Sequence, residues 1–170
     1  MQHFFTAKRI CRAGIIAALY LALTTVFGSL SFQGLLQIRP AEALTLLPLL
    51  LPEAVPALFI GCALANMSSP FFLYDVLLGS SVTLLAAIGT YFVGRIFRSD
   101  KFKILVGGVF PVLLNALFIP VIIVFLCGGA GDQGVWTAYF AFASSIFITE
   151  AVWVYALGAP LYFLLKKRKL

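Results

Sequence analysis

Charge is scarce in this chain: only 11% of its 170 residues are Asp, Glu, Lys or Arg, where a soluble domain carries about a quarter. That shortage excludes a water-facing surface, because too few polar side chains exist to cover a globule. Histidine is almost absent, and the single one, His3, lies in the N-terminal tail. No histidine metal site or histidine base can be assembled. The three cysteines, Cys11, Cys62 and Cys127, are scattered through apolar surroundings and read as small buried hydrophobes, not as a disulfide framework or metal set. No Walker A sequence or glycine-rich phosphate loop occurs, so the chain itself does not hydrolyse ATP. No inverted repeat of three spans is evident, which weighs against a self-sufficient secondary transporter.

What the chain has is apolar surface: 62% of residues are hydrophobic and the mean hydropathy is +1.08. Such a chain takes lipid as its solvent and is read as one all-α integral membrane domain over residues 1–170. The net charge of +6 is not a nucleic-acid signature, because the basic residues stand in three knots beside long apolar runs. The knots are Lys8, Arg9, Arg12; Arg95, Arg98, Lys101, Lys103; and Lys166, Lys167, Arg168, Lys169. Basic residues before the apolar run Ala13 to Phe27 also fit a signal peptide. The rest of the chain is equally membranous, so that run is read as the first span.

Runs of spanning length cover roughly Lys8 to Leu30, Tyr74 to Phe97, Phe102 to Cys127 and Trp136 to Leu165. Between them, "IRPAEALTLLPLLLPEAVPAL" (Ile38 to Leu58) is aliphatic yet holds Arg39, Glu42, Glu53 and four prolines. Proline removes a helix hydrogen bond, and a freed carbonyl in lipid must be covered by protein. The expected solution is two short helices, the second and third of six, breaking near Pro48 to Pro52. Six spans with both termini cytoplasmic put every basic residue but Arg39 inside, whereas five would strand one terminal knot outside. The outer connections are then Ser31 to Ala41, Asn66 to Leu73 and the glycine-rich Gly128 to Val135. Glu53 falls at the inner turn and Glu42 on the outer side.

Charges and amides within spans need a reason. Asn115 and Glu150 each sit about halfway along a span. Asp75, Gly79 and Thr83 share a helix face by their spacing of four. These groups would converge on an outward cavity, with Gly79 giving a flat ligand close backbone approach. Glu150 and Asn115 would form its floor, and Arg39, Glu42 and Asn66 its wall or lid. Ser80, Thr83 and Asn side chains also serve as ordinary interhelical hydrogen bonds, Asp75 as a helix cap, and Arg39 with Glu42 as a local ion pair. In the first span Ala13-x-x-x-Ala17, followed by Ala18 and Ala22, makes a flat face for another helix.

The runs "RPAEALTLLPLL", "GCALAN", "YDVLLGSSVTLLAA", "PVLLNALF" and "EAVWVYALGAPL" resemble the QueT family over nearly the whole chain. The resemblance implies a substrate-binding S component of an energy-coupling factor (ECF) transporter in the bacterial plasma membrane. It implies a queuosine precursor as substrate, a deazaguanine base such as queuine or an aminomethyl or cyano precursor. It further implies a transmembrane coupling subunit (EcfT) and two cytoplasmic ATPases as partners, ATP being used by those partners only. Ala13 and Ala17 then match the alanine motif that docks on the coupling subunit, and uptake proceeds by toppling of the S component. Glu150 or Glu42 would read the base's donor edge, with Asn115 or Asn66 donating to its carbonyl. The same architecture carrying another vitamin or purine-like base is the first alternative. An intramembrane enzyme using paired carboxylates such as Glu42 and Asp75 lacks a metal set or nucleophile arrangement.

Overall fold

A computed structural model describes residues 6–32, 36–132 and 134–168; His3 and Lys169 lie outside them. Among the described residues the chain is helical throughout, with no strand. Five α-helical segments and a ten-residue 3₁₀ segment build the bundle, with a short 3₁₀ turn, Gly28–Ser31, closing the first helix. Helix α1 is Ala7–Phe27, the 3₁₀ segment Pro40–Leu49 and α2 Ala54–Asn66. Helices α3 (Phe72–Ile96), α4 (Asp100–Leu126) and α5 (Val135–Lys167) follow. Four of these, α1, α3, α4 and α5, are long and apolar enough to cross a bilayer. The 3₁₀ segment, ten residues at about 2 Å each, and α2, thirteen at about 1.5 Å, both reach only about 20 Å.

Proline placement explains the break between the two short elements. Pro40 opens the 3₁₀ segment at its first turn, where the missing N–H costs nothing. Pro48 then forbids a regular α ladder, and the chain turns through Leu50 to Glu53 with Leu50 and Leu51 N–H groups both on the Leu47 carbonyl. The Thr45 hydroxyl donates to the Glu42 carbonyl at 2.6 Å, supporting the tighter winding. A run of ten 3₁₀ residues is unusual, and here the surroundings hold it: all ten are buried and the segment touches all five α-helices. Glycines admit its backbone. A methyl at Gly158 would stand 2.8 Å from the Ala43 carbonyl oxygen, and one at Gly94 2.7 Å from that of Leu49.

One proline inside a long helix is compensated as well. Pro111 frees the Gly107 carbonyl within α4, and the Thr90 hydroxyl of α3 donates to it at 2.9 Å. Wider π-helical turns occur at Asp75–Gly79 in α3, Ile122–Leu126 in α4 and Val152–Gly158 in α5, the last just ahead of Pro160.

The basic knots gather at one end of the bundle. Arg12 pairs with Glu53 at 3.5 Å, and Lys166 pairs with Asp100, which also accepts from the Tyr162 hydroxyl at 3.0 Å. These contacts bring together the start of α1, the Leu50 to Glu53 turn, the start of α4 and the finish of α5. At the opposite end the segment after α1 folds back on it. Ser31 donates to the Thr24 and Ile38 carbonyls, and the Ile38 N–H to the Leu30 carbonyl.

Candidate binding site

Four side chains from four elements meet in the centre of the bundle. Glu42 comes from the first turn of the 3₁₀ segment, Tyr20 from α1, Asn115 from α4 and Glu150 from α5. The carboxylates of Glu42 and Glu150 are 1% and 2% exposed and Asn115 is 2% exposed, so each polar atom must find a partner within the protein or a ligand. The Tyr20 hydroxyl donates to Glu42 Oε1 at 2.5 Å. The Asn115 amide donates to Glu150 Oε1 at 3.0 Å and also lies beside Glu42. One oxygen of each carboxylate, Glu42 Oε2 and Glu150 Oε2, is buried without any partner.

That imbalance defines the chemistry. The centre holds four carboxyl oxygens and two protein side chains that donate to them, so it is short of hydrogen-bond donors. An uncompensated buried carboxylate costs several kcal/mol. A ligand presenting adjacent N–H groups would supply the missing donors.

Asn66, Asp75, Gly79 and Thr83 are brought together too, but mainly with one another. The Asn66 amide donates to the Asp75 carbonyl at 2.7 Å and to Cys62 Sγ at 3.5 Å. Ser69 donates to the Asp75 carboxylate and accepts from the Phe71 N–H. Cys62 lies 3.3 Å from the Thr83 hydroxyl, which also reaches the Gly79 carbonyl. Gly79 is covered by Asn66, whose Nδ2 would be 3.2 Å from an added methyl. The surface expected to receive a flat ligand therefore receives the Asn66 amide. This cluster clamps the connection between α2 and α3.

Arg39 is half-buried and, among the described residues, makes no ion pair with Glu42. Its Nε donates to the Ser31 carbonyl at 2.8 Å and its guanidinium lies 5.5 Å over the Phe32 ring. The two side chains thus separate, Arg39 to the end of the bundle and Glu42 to its centre. Ala17 faces α2, since a methyl at Gly61 would stand 2.9 Å from the Ala17 carbonyl oxygen. Ala13 packs partly on the same core, while Gly14, Ala18 and Ala22 are exposed.

Two buried polar side chains escaped the sequence reading. Tyr20 is the only tyrosine in α1, and a hydroxyl within the apolar run between Arg12 and Thr24 was the available signal. Gln37, 3% exposed, has an unpartnered Oε1; it sits in a short connection, where glutamine carries no signal by itself. Among the described residues no group of three or more His, Cys, Asp and Glu forms a metal-ligand set.

No curated protein and no solved structure matches the chain. The family model for the QueT transporter matches residues 10–167, nearly the whole length. With its long apolar helices and this donor-poor polar centre, the chain is a multi-pass membrane protein that belongs to the QueT transporter family.

Proposed function

We propose that this protein is the substrate-capture S component of an ECF importer and binds a queuosine precursor, a 7-deazaguanine base. The observation that carries the proposal is the pair of unpartnered carboxylate oxygens, Glu42 Oε2 and Glu150 Oε2, on either side of Asn115. A guanine-type edge offers an N–H and an NH₂ side by side, the donor pattern such a centre lacks. Glu150 and Glu42 accept from that edge, Asn115 orients the Glu150 carboxylate, and Tyr20 fixes Glu42. Asn66, Asp75, Gly79 and Thr83 hold the adjoining wall.

The bundle end holding Arg12, Asp100 and Lys166 is cytoplasmic in this reading, following the basic knots. The end holding Ser31, Gln37 and Arg39 faces outward and admits the base. A transmembrane coupling subunit docks along the small-residue strip of α1. Because Ala17 already leans on Gly61, the docking surface extends from Ala13 and Ala17 to the exposed Gly14, Ala18 and Ala22. Toppling of the loaded protein, driven by partner ATPases, then delivers the base inward.

The test is calorimetric titration of the purified protein with queuine, 7-cyano- and 7-aminomethyl-7-deazaguanine and a vitamin panel. Tight, turnover-free binding of a deazaguanine supports the reading. Binding of a vitamin alone reassigns the cargo, and a chemically altered product reassigns the class to enzyme.

A further inference from the structure

A groove runs along the side of the bundle between its first and last helices. Helices α1 and α5 each pack on the 3₁₀ segment and scarcely on each other. The gap left between them has a volume of about 250 Å³. Its floor is Leu44, Leu47 and Leu51, all buried, whereas Ile15 and Leu19 on the α1 wall are exposed. Leu161 and Leu165 make the α5 wall, and Arg12 stands at the basic end of the bundle.

Both walls turn from apolar to basic at that same end. On α1 the series Lys8, Arg12, Ile15, Leu19 advances by four, three and four residues and so keeps to one helix face. The series Leu161, Leu165, Arg168 advances by four and three and does the same, the Arg168 N–H reaching the Leu164 and Leu165 carbonyls to continue the coil of α5. Arg12 to Leu19 and Leu161 to Arg168 are each seven residues, a matched rise of about 10 Å. Arg12 is engaged by Glu53 and Lys166 by Asp100. Lys8 and Arg168 are exposed and make no ion pair among the described residues.

In a bilayer the natural neighbour of such a groove is an acyl chain, because an empty gap forfeits dispersion contacts. Lipid tails are as apolar as leucine, so the chain alone gains little by entering. Selection falls to the head group, since basic pockets between membrane helices attract anionic ones. Independently of the deazaguanine reading, we propose that this groove binds an anionic phospholipid of the leaflet at the basic end. One acyl chain lies over Leu44, Leu47 and Leu51 between the two walls, and the phosphate sits among Lys8, Arg12 and Arg168.

The test compares dioleoyl-phosphatidylglycerol with dioleoyl-phosphatidylcholine, which share tails and differ in head-group charge. Their retention by the purified full chain is measured by native mass spectrometry. The wild-type protein is expected to hold phosphatidylglycerol about 25-fold more tightly, about fivefold each for Lys8 and Arg168; equal retention overturns the proposal. Lys8→Gln with Arg168→Gln is expected to abolish that preference. Arg98→Gln with Lys101→Gln, the same charge change at the other basic knot, is expected to leave it within about twofold. Equal losses from the two pairs mean attraction to net charge alone and overturn the site. Ile15→Trp fills the groove with every cation in place and is expected to weaken phosphatidylglycerol at least about threefold. Undiminished binding by that variant removes the acyl chain from the groove and the proposal falls; if the coupling subunit also ceases to copurify with it, the groove seats a protein helix instead.

Discussion

At the scale of single residues, the decisive groups are two carboxylates that the protein leaves half-satisfied. Glu150→Gln keeps the shape but replaces one acceptor oxygen with a donor, setting it against the donor edge of the ligand. Loss of hydrogen bonds to a charged group is worth about 1.5–3 kcal/mol, so base affinity should fall by on the order of 10- to 100-fold by titration calorimetry. Unchanged affinity would remove Glu150 from the site. Tyr20→Phe acts differently, since it orphans the second Glu42 oxygen in the free protein. We expect a loss of about 1–3 kcal/mol in the stability of the unliganded protein, read as a lower melting temperature in detergent. Added ligand should recover part of it.

At the scale of elements, close backbone approach holds the 3₁₀ segment in place. Gly158→Ala is expected to destabilise by about 1–3 kcal/mol, because its methyl meets the Ala43 carbonyl oxygen at 2.8 Å. Gly14→Ala is the control, with nothing within 4 Å and a better helix former in place; its melting temperature should not fall. Thr90→Val uncovers the carbonyl freed by Pro111 and should cost about 1 kcal/mol, the scale of an interhelical hydrogen bond in a membrane. Much of this layer was legible beforehand. Pro48 and Pro52 announced the break, and the basic knots announced which ends lie together. The 3₁₀ winding was not legible, because Pro40 to Leu49 is apolar apart from Glu42 and Thr45 and its tighter coil depends on helices arriving from elsewhere. The partners of Glu42 were hidden for a related reason. Its spacing from Arg39 suggested a local pair, whereas the turn at Pro40 sends the two side chains to different depths.

At the scale of the whole molecule, the proposed orientation can be read with the protein's own thiols. Cys11 is exposed near the basic end, Cys127 is partly exposed at the far end and Cys62 is buried. A membrane-impermeant maleimide applied to intact cells should label Cys127, with Cys11 reached only after permeabilisation and Cys62 in neither case. Labelling of Cys11 from outside would invert the topology. Docking is tested by Ala18→Trp on the exposed strip of α1. We expect the coupling subunit to stop copurifying and uptake to cease, while binding of the base by the isolated protein is unchanged.

The central 3₁₀ segment touches all five α-helices and is held through Gly158 near the far end of the chain. This sets an order of biogenesis. A ribosome has made Pro40 to Leu49 long before α5 exists, so during synthesis the segment waits without the surface that finally covers it. Its Glu42 is then stranded among lipids, or held back at the translocation channel, until Gly158 emerges. Truncation anywhere before α5 should therefore give a chain that is cleared by quality-control proteases, even though α1, α3 and α4 are each apolar enough to insert alone.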